Sequence, residues 1–416
     1  MTQQGPILLI CSEPQPALIE ALERAHLFPI VNVGWTEALS AISGLQPAAV
    51  IAVPALTTTA QTLERVAATV SALAPYTPLI VVDTPQPVPA NALPLSLDHG
   101  LPRLGARLSG AWRVRALHAA VLRRAETGGG DRGLLAGADP IEDASILLIG
   151  RGGTHPALSV AFGERMGVVG ALSIEAAAKH LNTRDIDGIV IGDGFTPRVV
   201  DAFLTVLAED SRFRSLPVVL ASPAADLNLS TYELPNLEAS DADAVRIARL
   251  AMPLIRQQAF ASRLQRAQKS LEAGGITDPR TGLLTESTFD RDLALAIKEA
   301  LNSGASLSAA CFRLDAARPR ERYDSARIIS RLMRRVDFAT LRADGSVILI
   351  FPGADSRAVQ AISKRLASVL RYSMHGPDGR ARLDLTMTHT TLQSGDTPHS
   401  LLSRLDPAMS HAASGS

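Results

Sequence analysis

The chain has 416 residues, 46% of them apolar and 4% aromatic, and its 41 Lys and Arg balance 41 Asp and Glu. That length accommodates two to four domains with substantial cores. A net formal charge of zero excludes nucleic-acid binding by bulk charge, and the scarcity of aromatics disfavours a stacking platform for single strands.

Cys11 and Cys311 both fall in apolar runs and read as small core residues, not as a disulfide or a metal pair. The start, Met1-Thr2-Gln3-Gln4-Gly5-Pro6, lacks the basic region of a signal peptide, and no run of about 18 apolar residues suits a membrane span. The expectation is a cytoplasmic protein with no membrane and no nucleic-acid partner.

In chain order, residues 7–10, 49–53 and 78–82 are short, wholly apolar runs, with helical patterns at 15–25 and 60–74 between them. Apolar strands alternating with helices predict a parallel sheet covered on both faces. The glycine-rich stretch Gly128-Gly129-Gly130-Asp131-Arg132-Gly133 then reads as a linker. The pattern restarts with strands at 146–149, 188–192 and 217–221 and helices near 156–166, 174–181 and 198–209. Ile7-Leu8-Leu9-Ile10 and Ile146-Leu147-Leu148-Ile149 are identical, which predicts an internal repeat of one α/β domain.

Residues 254–273 carry Leu, Ile and Ala on a helical period and stop at Gly274-Gly275. They read either as a connecting stalk with a dimer seam or as the ordinary last helix of the second domain. A third unit follows, with helices at 286–302, 325–336 and 354–372 and strands at 307–314, 338–343, 346–351 and 383–390. Pro319 is expected to interrupt helix. The stretch Arg334-Arg335-Val336-Asp337 reads as a helix end before a hairpin turning at Asp344-Gly345. Asp-Gly between apolar alternations predicts a two-residue type I′ turn, which needs φ > 0 at both positions. The predicted divisions are 1–126, a linker at 127–143, 144–254, a connecting helix at 255–276, 277–405, and a tail at 406–416.

Both N-terminal units resemble response-regulator receiver domains. That resemblance implies a phosphoaccepting aspartate after the third strand, an acidic Mg²⁺ pair after the first, and a Thr or Ser after the fourth. Hard oxygen ligands suit Mg²⁺. In the first unit these positions fall on Cys11-Ser12, Val53 or Pro54, and Asp83. In the second, Asp193 falls on the phosphoacceptor and Ser222 on the hydroxyl, but Gly150-Arg151 replaces the acidic pair. Asp193 therefore reads as an unfavoured phosphoacceptor; the plainer reading is a loop aspartate capping the turn before Pro197. Both units are expected to serve dimerisation or docking. Gly150-Arg151-Gly152-Gly153 lacks the full pattern of a phosphate loop.

The third unit resembles the GGDEF (diguanylate cyclase) family. The resemblance rests on Thr277-Asp278-Pro279-Arg280-Thr281-Gly282-Leu283-Leu284, followed by Phe289, and on the hairpin anchored at Phe351-Pro352-Gly353. The implied fold is two flavodoxin-like receiver domains followed by an α+β GGDEF-like (nucleotidyl-cyclase) domain. In that family the hairpin carries Gly-Gly-Asp/Glu-Glu-Phe, whose acidic residue holds Mg²⁺. Here the turn is Ala343-Asp344-Gly345-Ser346-Val347, and the second metal aspartate is replaced by Arg313. Phosphoryl transfer depends on charge neutralisation, so the implied protein is a pseudoenzyme with no catalytic residue and no resident cofactor or metal.

The family's inhibitory Arg-x-x-Asp site falls in register on Arg334 and Asp337, with a further family arginine on Arg365. Arg offers a planar fork for phosphate or the guanine edge, and Asp accepts from guanine N1 and N2. The resemblance therefore implies a non-catalytic effector in bacterial signalling that binds cyclic di-GMP through Arg334, Asp337 and Arg365. It also implies a homodimer through the receiver-like units, and protein partners in a signalling or proteolytic-adaptor pathway. Two other readings stand beside it: a ligand-free interaction scaffold, and a residual diguanylate cyclase. The tripeptide spacing alone is weak evidence, because Arg184…Asp187 and Arg198…Asp201 share it. The plainer reading of Arg334, Arg335 and Asp337 is solvated charges at a helix end, and the position before the hairpin together with Arg365 favours the ligand site over it.

Overall fold

The computed structural model describes residues 5–27, 29–55, 57–83, 88–97, 101–127, 139–221, 227–315, 319–334, 336–373 and 384–405. The predicted glycine linker, Ser222, Arg335 and the tail lie outside them. The described residues fall into two compact units, one up to Gln265 and one from Arg266 onward.

The first unit contains two α/β domains. In the first domain, β1 (Ile7–Ile10), α1 (Pro16–Arg24), β2 (Ile30–Val33), α2 (Ala38–Leu45), β3 (Ala49–Ala52), α3 (Ala60–Ser71), β4 (Leu79–Val82), β5 (Ala92–Leu95) and α4 (Leu104–Thr127) alternate. The strands form a parallel sheet in the order β2-β1-β3-β4-β5. Every residue of β1, β3 and β4 is buried, because helices cover both faces.

The second domain repeats the plan with β6 (Ser145–Ile149), α5 (Thr154–Gly163), β7 (Gly167–Ala171), α6 (Ile174–Thr183), β8 (Gly188–Ile191), α7 (Pro197–Glu209), β9 (Val218–Ala221), β10 (Leu237–Ser240) and α8 (Ala244–Glu272). Its sheet order is β10-β9-β8-β6-β7, the same topology read from the other edge. This is a doubly wound order with its switch point between the first and third strands. The two identical Ile-Leu-Leu-Ile runs occupy the same central position in their sheets.

The predicted division at residue 254 is corrected. Ala244–Glu272 is one continuous helix that carries Pro253 inside it. Ile247, Ala248, Ala251, Ile255 and Ala259 all pack into the second domain's core. The helix is at once that domain's last element and the connection onward.

The two α/β domains are joined by buried polar contacts. Arg107 is 2% exposed and donates to the carbonyls of Pro94 and Pro235 and to Glu238 (2.6 Å). Arg103 donates to the carbonyls of Leu229 and Leu237. His118 accepts the Tyr76 backbone N–H (2.9 Å) and stacks edge-on against Phe260 of α8.

In the second unit, α9 (Glu286–Ser303), β11 (Leu307–Asp315), α10 (Pro319–Leu332), β12 (Phe338–Leu341), β13 (Val347–Pro352), α11 (Ser356–Ser373), β14 (Asp384–Thr391) and α12 (Pro398–Leu405) build a four-stranded antiparallel sheet, ordered β12-β13-β11-β14. Helices α10 and α11 pack on one face and α9 and α12 on the other, each with its own core. Two expectations are corrected here. Pro319 opens α10 and does not interrupt it, because a first-turn proline lacks only an N–H that would go unbonded anyway. The same helix ends at Leu332 and not at residue 336; Arg334 lies exposed just past its end, while Asp337 is buried and not a solvated charge. Among the described residues no helix is long and apolar enough to cross a membrane.

Candidate functional site

Arg334 and Asp337 sit in the connection between α10 and β12, and the structure brings them together in one closed turn. The Asp337 N–H donates to the Arg334 carbonyl (3.1 Å), and the Arg334 N–H donates to the Asp337 carboxylate (3.1 Å). The aspartate is thereby the turn's own acceptor. Asp337 is 9% exposed, and burial pushes its carboxyl above the usual range despite that hydrogen bond and the nearby Arg334 charge. The Arg334 side chain is exposed, as is Val336 between the two. Arg365 is exposed on α11, which packs against α10. Among the described residues no hydrogen bond or ion pair joins Arg365 to Arg334 or Asp337.

The hairpin after β12 is not the expected type I′ turn. The Gly345 N–H donates to the Arg342 carbonyl (2.9 Å), and the Arg342 backbone N–H donates to the Ser346 carbonyl (2.8 Å). The central pair is therefore Ala343-Asp344. Only Gly345 has positive φ (84°), and it forms the bulge that closes a three-residue loop. The physical reason lies in Asp344, whose carboxylate accepts from the Ser346 N–H (2.9 Å) and hydroxyl (2.7 Å). That Asx-type closure holds Asp344 out of the left-handed region.

The charges around this turn are mostly basic. Burial alone would raise the Asp344 carboxyl, but the Ser346 hydrogen bonds and the charges of Arg313 and Arg342 hold it below the usual range. Arg342 in turn bridges Glu286 (3.0 Å) and Asp290 (2.6 Å) on α9 and lies over the Phe289 ring at 5.3 Å. Burial works against its charge, and the two carboxylates outweigh it. The Arg322 guanidinium lies across Gly345, where a Cβ would meet Nε at 2.8 Å. A carboxylate already held by Ser346 with guanidinium groups around it is a poor seat for a divalent cation. Sequence reasoning missed Arg322, because nothing in a residue 23 positions upstream marks it as the cover of a turn.

In the second α/β domain, Asp193 follows β8 at the switch point. It accepts from the Thr154 hydroxyl (2.6 Å) at the start of α5. Its carboxylate lies against Gly152, where a Cβ would stand 2.2 Å from Cγ. In the first domain, Asp83 adopts φ 39° and accepts the Leu97 N–H (3.1 Å), and Cys11 is buried and bonded to Asn32 (3.1 Å). Burial pushes the Cys11 thiol up. Among the described residues no group of three or more His, Cys, Asp and Glu side chains is placed to hold a metal.

No family model matches the chain, and no curated protein does. Solved structures similar to part of the chain include GGDEF domains. One is the coiled coil and GGDEF domain of DgcB from Caulobacter crescentus in complex with c-di-GMP, at 20% identity, covering 37% of this chain and 88% of that one with a TM-score of 0.30. Another is the FimX GGDEF domain from Pseudomonas aeruginosa, at 19% identity, covering 34% and 95% with a TM-score of 0.29. A third is the diguanylate cyclase SiaD in complex with its activator SiaC from Pseudomonas aeruginosa, at 19% identity, covering 37% and 65% with a TM-score of 0.30.

Proposed function

We propose that this chain is a GGDEF-type signalling protein that binds cyclic di-GMP and does not make it. The observation that carries the reading is the closed Arg334–Asp337 turn, which presents an exposed guanidinium immediately before the hairpin. Arg334 would take a phosphate or the guanine O6/N7 edge, and Arg365 would add a second basic contact from α11. The ionised Asp337 carboxylate would accept from guanine N1 and N2.

Cyclase activity is absent in this reading. Support comes from Ser346 in place of the family carboxylate, and from Arg313 and Arg342, which repel a metal at the turn. The two N-terminal α/β domains act as receiver-like docking and dimerisation modules without phosphotransfer. Asp193 is already engaged by Thr154, and no acidic pair stands at Gly150-Arg151.

A second reading has a specific observation behind it. Asp337 is almost fully buried and its carboxylate is bonded by its own turn, as a purely structural residue would be. In that case the chain is a ligand-free scaffold. Isothermal titration with cyclic di-GMP separates the two. Saturable heat from the wild type, lost in Arg334→Ala, supports the receptor; no heat at tens of micromolar ligand overturns it. Turnover of GTP with Mg²⁺ would overturn the assignment as a pseudoenzyme.

A further inference from the structure

The motif Thr277-Asp278-Pro279-Arg280-Thr281-Gly282-Leu283-Leu284 is hydrogen-bonded to the elements on either side of the Arg334–Asp337 turn. The segment closes on itself. The Asp278 N–H donates to the Leu283 carbonyl (2.8 Å), the Gly282 N–H to the Asp278 carbonyl (2.8 Å), and the Thr285 N–H to the Ile276 carbonyl (3.0 Å). Gly282 has φ 74°, a conformation that favours glycine.

Both elements that flank Arg334–Asp337 are bonded to this segment. On the N-terminal side, α10 reaches it through Arg327 Nε to the Arg280 carbonyl (2.7 Å) and Ser330 Oγ to the Gly282 carbonyl (3.2 Å). On the C-terminal side, β12 reaches it through the Leu284 N–H to the Ala339 carbonyl (2.9 Å) and Thr340 Oγ1 to the Leu284 carbonyl (2.9 Å). The ligand turn thus spans two elements pinned to one loop, and it cannot change its opening without loading those four bonds.

The loop is tied in its turn to the end of α8. Ser270 Oγ donates to the Thr277 carbonyl, Arg266 Nε to the Pro279 carbonyl (3.0 Å), and the Gly275 N–H to the Ser270 carbonyl (2.8 Å). We infer that the 276–285 loop is a transmission element that reports occupancy of the Arg334–Asp337 turn to the C-terminal end of α8, with Ser330 and Thr340 as its positioning residues. The inference rests on the receptor reading for its ligand. The hydrogen-bonded linkage itself does not depend on it. Coupling of this kind is reciprocal: whatever loosens the loop must also loosen the turn.

Amide hydrogen exchange on the full chain tests both parts. In ligand-free protein, Ser330→Ala and Thr340→Val each remove one bond to the loop and should speed exchange of the Asp337 N–H by about fivefold. Ser330 is half-buried and its truncation leaves the core intact, so it keeps the test open should Thr340→Val fail to fold. Unchanged Asp337 exchange in a folded Ser330→Ala protein overturns the linkage. With saturating cyclic di-GMP, exchange should slow at 266–285 as well as at 331–345. Protection confined to 331–345 in protein shown by titration to be occupied overturns the transmission. Absence of any binding sinks the receptor reading instead, and the ligand-free comparison still decides the linkage.

Discussion

Arg322 lies across Gly345, with its guanidinium where a side chain on residue 345 would begin. The guanidinium, carried on α10, thus covers the apex of the hairpin. Gly345→Ala should cost about 1–2 kcal/mol, from the left-handed backbone and the clash together. In an Arg322→Ala background only the backbone part, about 1 kcal/mol, should persist. Urea denaturation of the single and double variants measures the difference, and equal costs in both backgrounds would show that Arg322 does not press on the turn.

On the receptor reading, Asp337 would make ligand binding depend on pH. Its carboxyl is raised by burial, so the ionised acceptor is lost at a higher pH than an ordinary aspartate would lose it. Cyclic di-GMP affinity should therefore decline on acidification before the usual carboxylate range is reached. Asp337→Asn should be weak at every pH and show no such decline. Titrations across that range read both.

Arg256 and Asp139 form a partly buried ion pair in the first unit. Burial opposes the charge on Asp139, but the Arg256 hydrogen bonds outweigh it and hold the carboxyl below its ordinary value. A depressed folded-state value gives stabilisation that is full above the unfolded value near pH 4 and is lost as pH falls through the lower folded one. Arg256→Ala should thus lower the urea midpoint at neutral pH, by about 1 kcal/mol of stability, and the gap to wild type should narrow below pH ~4.

Arg107 is the most deeply buried charge in the described core. Arg107→Ala strands the Glu238 carboxylate and two carbonyls and should cost about 3–5 kcal/mol. Because both α/β domains contribute acceptors, both should lose stability together in a calorimetric scan.

Gly152→Ala should displace the Asp193 carboxylate, which occupies the Cβ position, and break its bond to Thr154. The expected loss is about 1–2 kcal/mol. Wild-type protein incubated with acetyl phosphate and Mg²⁺ should gain no phosphate in its intact mass.

The central strands were legible because full burial leaves an uninterrupted apolar run, as in Leu79–Val82 and Gly188–Ile191. The edge strands Ala92–Leu95 and Leu237–Ser240 were not, since one carries Pro94 and the other Glu238. Arg334 and Asp337 drew notice by their place before a hairpin, but the turn they close on each other left no mark in the sequence, and the type of the hairpin turn left none either. There the Asp344 carboxylate takes Ser346 in place of a left-handed backbone, and Asp-Gly spacing says nothing of that choice. The Arg107–Glu238 pair, 131 residues apart, leaves no local mark at all.

The repeated Ile-Leu-Leu-Ile run sets a problem for folding. Residues 7–10 and 146–149 are chemically interchangeable, and each pairs with two neighbours in the middle of its own parallel sheet. During synthesis either strand could insert into the other's place, a misassembly to which repeats within one chain are prone. Correct sorting must then come from what differs around them: Phe162 and Met166 beside the second run, Leu18 and Leu22 beside the first. Three of these four discriminating residues, Leu18, Leu22 and Phe162, are carried on helices, and Met166 sits in the turn that leads from α5 into β7.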